Sequence, residues 1–403
     1  PPRKIVSGCL IMLSNKIKIP SFEDIFQQIK FNFWLIGIPF DENVKLRFYI
    51  LWCWITIIVT QEFLFFISKF SPENFLDLTQ LAPCTCVGIL SIVKMFLIGN
   101  KRRSIFKFIK SLKILYDEIV RDEKKILLVK SNFVFLKYLT KYFFILNAIL
   151  IIVYNFATIF LILFHYLKKN EVQFILPYAI WVPFSIDSWV KWFIIYLHSI
   201  LTGFICVLYF TTVDALYFIM TTHICSHFTI LSEEIKELKV TTTHLLKEIV
   251  KKHQYILKLS QDLEDIFTAP NLFNVLIGSI EICALGFNLT MGKWTQIPGV
   301  VLFLISVLLQ ILMISVFGEN LIRESRKISE AAFECEWYAM GAKPKQTILL
   351  LMLRANKPQK LTAYKFSVIS YESFTKIIST SWSYFTILKT VYKPPEHISN
   401  EFI

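Results

Sequence analysis

The sequence predicts an all-α protein that crosses a membrane seven times, and three observations predict it. Seven apolar stretches run at about 46–67, 75–98, 133–164, 189–221, 271–290, 298–321 and 364–391. Each reaches the ~20 residues that a helix needs to cross ~30 Å of hydrocarbon. The 403-residue chain is 55% hydrophobic, with a mean hydropathy of +0.55, richer than the roughly 45–50% apolar content of soluble domains. Lysine and arginine gather before the first stretch and in the second, fourth and sixth gaps, for example Lys101, Arg102, Arg103, Lys236, Lys247, Arg323, Arg326 and Lys327. The alternate gaps hold few, such as Lys69, Lys168, Lys169 and Lys293. The positive-inside bias then puts the N-terminus in the cytoplasm and, after seven crossings, the C-terminus outside. The net charge of +13 is thereby a topological signal, and no nucleic-acid partner is expected.

Residues 1–45 form the cytoplasmic N-terminal segment; its apolar patch Ile5–Leu13 is too short for a secretory signal and lacks a cleavage pattern. The body, 46–324, carries the first six spans. Within it Lys94 sits near the cytoplasmic end of the second span, where its ammonium is expected to snorkel toward water. A helix from Trp189 to Met220 would measure ~48 Å at 1.5 Å per residue, so one end projects beyond the hydrocarbon. The polar continuation His223–Lys239 makes that end cytoplasmic.

Residues 222–270 are expected to form a cytoplasmic helical anchor. Leu245, Ile249, Ile256, Leu259, Leu263 and Ile266 recur at near-heptad spacing among Lys and Glu, which suits packing against other helix extensions. Acidic Asp262, Glu264 and Asp265 argue against a lipid surface as the partner. In 325–363 the run Ile348–Leu353 is too short to span and reads as part of the same buried cluster, with a break at Gly341–Pro344. The last unit, 364–403, is the seventh span and an extracellular tail. The one sizeable outer loop, Tyr166–Ser188, holds Phe174, Tyr178, Trp181 and Phe184, and is suited to fold over the outer mouth.

Catalytic signatures do not emerge, so no enzyme, cofactor or metal is expected. His223-xxx-His227 shares one helical face, but without a third ligand nearby it reads as structural. Cys84-x-Cys86 is too close and too buried for a zinc half-site. Cys53, Cys84, Cys86, Cys206 and Cys283 fall in spans and Cys9, Cys225 and Cys335 on the cytoplasmic side, so no structural disulfide is expected. Asp214 calls for a histidine or lysine partner, Glu281 for either a wet cavity or an interhelical bond, and Lys376 for a wet space between helices. In the last span Ser379, Ser383, Ile387 and Thr390 form one narrow face. Two readings fit it: a pore-lining surface with a hydrophobic constriction at Ile387, or an ordinary helix seam.

The residues from Phe317 to Ser325 (FGENLIRES) and from Ala331 to Tyr338 (AAFECEWY) resemble the sixth-helix and third-cytoplasmic-loop signature of insect odorant receptors. Leu349–Pro358 (LLLMLRANKP) with Leu361-Thr362-Ala363, and the closing Ser383-Tyr384-Phe385, are similar to the same family. The resemblance implies a tetrameric, ligand-gated, non-selective cation channel in the plasma membrane of a sensory neuron, with the cytoplasmic extensions as its intersubunit anchor. Ile387 then falls at the gate and Thr390 in the polar ring beside it. Coreceptors of the family carry valine and glutamine there, so Thr390 departs from them and the chain resembles an odorant-tuning subunit that partners a coreceptor. The implied ligand pocket comprises Leu78, Leu81, Ala82, Tyr154, Thr158, Ile159, Trp192, Tyr196, Ser199, Val301 and Ile305, an apolar set for a small neutral volatile. Donors Tyr154, Thr158 and Tyr196 point to an acceptor oxygen, as in an ester, aldehyde or ketone. A G-protein-coupled chemoreceptor and a gustatory-type channel subunit are the alternatives.

Overall fold

Helices in this chain run well past the thickness of a bilayer, and the excess gathers at one end. A computed structural model describes residues 19–39, 43–71, 75–169, 174–292 and 297–392. The Ile5–Leu13 patch, Cys9, Lys293 and the tail after residue 392 lie outside the described residues. The helices are α1 (Phe22–Ile36), α2 (Leu46–Ser68), α3 (Phe75–Val120), α4 (Glu123–Lys169), α5 (Trp189–Lys236), α6 (Leu246–Met291), α7 (Ile297–Glu334), α8 (Ala342–Ala355) and α9 (Tyr371–Val391). At 48 residues α5 is about 72 Å long, more than twice the hydrocarbon depth.

By length and composition α2 to α7 can each cross a membrane, and α9 supplies the seventh expected span. Its 21 residues include eight serines and threonines together with Glu372, Lys376 and Lys389, which dilutes its apolar character. It also begins at Tyr371 rather than 364. Residues 362–368 form a hairpin instead, with Thr362–Ala363 (β1) antiparallel to Ser367–Val368 (β2). Tyr364 and Lys365 turn the chain at φ 49° and 63°, in the left-handed region that interrupts a helix.

The largest apolar core lies where the extensions of α3, α5, α6 and α7 meet α1 and α8. Leu246, Ile249, Ile256, Leu259, Leu263 and Ile266 of α6 are buried there. The expected amphipathic stripe therefore packs within its own chain, and α6 runs on through Pro270 into its span without a break. Leu245 is exposed, in a short 3₁₀ turn. Of the apolar run in α8 only Ile348 and Leu351 are buried; Leu349, Leu350 and Leu353 face outward. The break preceding α8 falls at residues 335–341, and Pro344 is accommodated in the first turn, where its missing N–H has no partner to lose.

Helix α1 is an amphipathic helix within the expected N-terminal segment. Ser21 and Asp24 form a reciprocal capping box at its start, and Gly37 ends it at φ 93°. A Cβ at Gly37 would lie 2.8 Å from the Phe48 backbone nitrogen, so the turn into α2 admits only glycine. Phe22, Ile25, Phe26, Ile29, Phe33 and Ile36 are all buried, and Asn32 donates to Thr212 at 2.9 Å. Glu23 accepts from Lys30 and from Lys113 of α3; these two ammonium groups hold its carboxyl below the usual range. Against this helix lies His223, ringed by Phe22, Phe26, Tyr116 and Phe133 at 4.7–6.0 Å between centroids. His223 is thus part of an aromatic core, while His227 lines a cleft among the extensions.

Three spans are joined by charge. Lys94 of α3 does not snorkel: it is wholly buried, with Nζ 2.7 Å from Asp214 Oδ1 of α5. Gln310 of α7 donates to the other carboxylate oxygen at 2.9 Å, and the ammonium lies 4.3 Å from the centre of the Phe210 ring. The ammonium is too deep to reach water, and the Asp214 carboxylate offsets its desolvation. Close backbone packing completes the frame. A Cβ at Gly318 of α7 would stand 2.3 Å from the Ile369 carbonyl oxygen.

Two predictions follow from this frame. Asp214→Ala strands a buried ammonium and should cost about 3–5 kcal/mol, read as a fall in melting temperature of the solubilised protein and in surface expression. A Lys94→Met/Asp214→Leu double variant should recover most of that loss. Gly318→Val should lower both quantities as well, by forcing the 361–369 segment off α7, whereas Gly341→Ala, with open space around its Cβ, should leave them unchanged.

Candidate functional site

At the end of the bundle opposite the large core, residues 174–188 lie across the helices. The Trp181 N–H donates to the Gln61 carbonyl of α2 at 3.1 Å, and the Trp192 indole donates to the Ile175 carbonyl at 2.8 Å. Ile180 packs with Ile58 and Ile195. The loop sends Tyr178 inward, where it stacks on Tyr154 of α4 at 5.7 Å. Its hydroxyl would stand 2.5 Å from a Cβ at Gly203 of α5, so that glycine makes room for the ring.

Several of the expected pocket residues meet beneath this loop. Tyr154 contacts the Cys84 thiol at 3.4 Å and Phe303 of α7 edge-on at 6.4 Å. Trp192 and Tyr196 stack at 4.6 Å, and the Tyr196 hydroxyl donates to the Asn155 carbonyl at 3.2 Å. Leu78, Leu81, Thr158, Trp192, Tyr196 and Ser199 are buried, and Ala82, Tyr154 and Val301 are half-buried. Ile159 and Ile305 stand apart, exposed on the outer surfaces of α4 and α7. Residue 159 follows the buried Thr158 by 100° of helix rotation, which carries it out of the bundle.

The sequence reading did not include Glu62, Asn155, Tyr178 or Phe303 in this set. Glu62 alone carried a usable signal, a carboxylate inside an apolar span. Tyr178 is placed by the path of a loop, which no periodicity encodes. Farther off, among the extensions, a cleft of about 50 Å³ is lined by Glu118, Lys125, His227, Glu234, Lys252 and Tyr255. Lys125 and Lys252 both pair with Glu234 there, at 3.2 and 3.1 Å. Among the described residues no cluster of three or more His, Cys, Asp or Glu is arranged to hold a metal.

Helix α9 packs one face on α6 and α7 through Ser373, Ile377, Ser381 and Phe385. Ser381 donates to the Ser279 carbonyl of α6 at 3.1 Å. Ser379, Ser383, Ile387 and Thr390 are exposed, and at 100° per residue they centre roughly opposite the buried face. Their hydroxyls turn back on their own helix: Ser383 donates to the Ser379 carbonyl at 3.0 Å and Thr390 to the Ile387 carbonyl at 2.8 Å. Lys376 is exposed as well, paired with Glu372 one turn earlier at 2.7 Å. The start of α9 is fixed by a Ser370–Ser373 capping box and by the hairpin before it. Glu264 of α6 accepts from the Thr362 N–H at 2.8 Å and from its hydroxyl, and Thr268 accepts from the Tyr364 N–H at 3.0 Å.

Odorant receptor 13a of Drosophila melanogaster is 27% identical over 376 residues, covering 85% of this chain and 88% of its own. Odorant receptor 85b of the same species is 26% identical over 343 residues, covering 82% and 87%. The solved olfactory receptor OR5 of Machilis hrabei, in complex with eugenol, superposes with a TM-score of 0.75 at 15% identity over 92% of this chain and 97% of its own. That likeness shows the seven-helix fold. Residues 74–382 match the sequence pattern of the family described as 7tm Odorant receptor, and the chain is a multi-pass membrane protein of the odorant receptor family.

Proposed function

We propose that this chain is an odorant-tuning subunit of a ligand-gated, non-selective cation channel, assembled as a tetramer with coreceptor subunits in the plasma membrane of sensory neurons. Membership of a receptor family argues against an enzyme. The observation that carries the channel reading is the face of α9. A helix whose hydroxyl stripe points away from its own bundle, with Ile387 56% exposed within it, suits a central path shared with neighbouring subunits. Rings of Ile387 or its counterparts would close that path by dewetting. Phe333, Tyr338, Leu349, Leu350, Leu353 and Phe366 also stand exposed near the extensions, and a subunit contact at the anchor would cover them. The asymmetry of Lys and Arg supports an N-terminus in the cytoplasm and a C-terminus outside.

In this reading the odorant is a small hydrophobic volatile seated beneath residues 174–188. Leu78, Leu81, Ala82, Tyr154, Thr158, Trp192, Tyr196, Ser199 and Val301 surround it, while Ile159 and Ile305 face lipid or a neighbour. Binding opens the gate only to the extent that the ligand prefers the open state.

Ile387→Ser in the coexpressed channel should raise basal cation current several-fold, measured by whole-cell recording without ligand; unchanged gating and permeation would reject α9 as the pore helix. An epitope placed after Ile403 should stain on intact cells. Staining that needs permeabilised cells would support a G-protein-coupled arrangement instead.

A further inference from the structure

Beneath the loop two buried acceptor oxygens have no partner. Glu62 of α2 is 4% exposed, yet its Oε2 has no hydrogen-bond partner. Its carboxyl faces Thr85 of α3 and lies within electrostatic reach of Cys84, Tyr154 and Tyr178. The same surroundings leave Asn155 Oδ1 unpartnered, while its amide nitrogen gives one hydrogen to the Ile151 carbonyl at 2.8 Å. Of the hydroxyls that would serve an acceptor ligand, Tyr196 donates to the Asn155 carbonyl and Tyr154 lies against the Cys84 sulfur. Unpaired buried oxygens are costly, and a ligand that donates to them recovers the cost.

Resting on the odorant-binding role above, we infer that the preferred ligand carries a hydrogen-bond donor, a hydroxyl or an amine on an apolar body, and that Glu62 receives it. This replaces the acceptor oxygen that the tyrosines and threonine suggest from sequence. The aromatic pairs Tyr154–Tyr178 and Trp192–Tyr196 supply the apolar walls. A ketone or ether of equal size would leave Glu62 Oε2 unpaired.

The test uses linear C4–C10 primary alcohols and primary amines against methyl ethers and methyl ketones of matched length. Binding is read by tryptophan fluorescence and thermal shift on the purified full-length receptor complex, with whole-cell current recorded in parallel. The best donor-bearing compounds should bind about tenfold or more tightly than their matched ethers. Glu62→Leu should bring that ratio within about threefold while leaving ether affinity unchanged. Glu62→Gln, which keeps shape and an acceptor but loses charge, should retain the alcohol preference and weaken amines, and it serves if the leucine variant does not fold. The proposal is overturned if ethers or ketones bind as tightly as alcohols and amines, if no donor-bearing compound binds, or if the preference survives Glu62→Leu. Donor-selective binding without current would reject the channel reading and leave this one standing.

Discussion

A lysine cannot sit wholly buried in the middle of an apolar bundle unless something answers its charge, and that constraint organises this protein. Lys94, Asp214 and Gln310 come from three different helices and meet within 2.7–2.9 Å. Apolar packing between membrane helices is non-directional and gains little over packing against lipid. A charge-assisted bond is directional and sets the rotation of each helix about its own axis. With α3, α5 and α7 so fixed, their extensions arrive in register to enclose one core with α1 and α8. The same rotations orient Cys84 of α3 and Phe303 of α7 toward Tyr154 of α4 at the other end.

The two ends are built on different principles. The extensions bury a continuous apolar core sealed by an aromatic cage around His223 and by surface pairs such as Lys125–Glu234. The opposite end has small clusters, Ile58–Ile180–Ile195 and Ile162–Trp192–Tyr196. Dense packing resists change, and sparse packing leaves room for a ligand to contribute. Between them the hairpin of residues 362–368, held by Glu264 and Thr268, joins the rigid end to α9.

Much of this was legible from residue order, because long apolar runs and alternating charge report the solvent around each segment. The seven spans and the α6 stripe follow from those signals, whereas the hydroxyl face of α9 is compatible from its spacing with either a pore lining or a helix seam. The placement of Lys94 did not, since snorkelling and ion pairing are equally compatible with a lysine near a span end and only the neighbour decides. Helix α1 was readable but passed over: Ser21 to Asp24, the buried positions 22, 25, 26, 29, 33 and 36, and Gly37 make a complete start, face and stop. The onset of α9 was misplaced because Tyr364 and Phe366 look like span residues, while the left-handed turn at 364–365 has no glycine to announce it. In the candidate site, Tyr154, Trp192 and Tyr196 were found through the resemblance. Tyr178 is placed by the path of a loop, which no periodicity encodes, whereas Glu62, a carboxylate inside an apolar span, was legible but not used.

The back-bonded hydroxyls of α9 bear on which ions that surface would welcome. A serine or threonine hydroxyl has one hydrogen to give and two lone pairs to receive with. In Ser383 and Thr390 the hydrogen is already committed to a carbonyl of the preceding turn. What Ser383 and Thr390 turn outward is oxygen, so in the proposed channel a passing cation would find coordination there. Charge selectivity of this kind needs no acidic side chain at all.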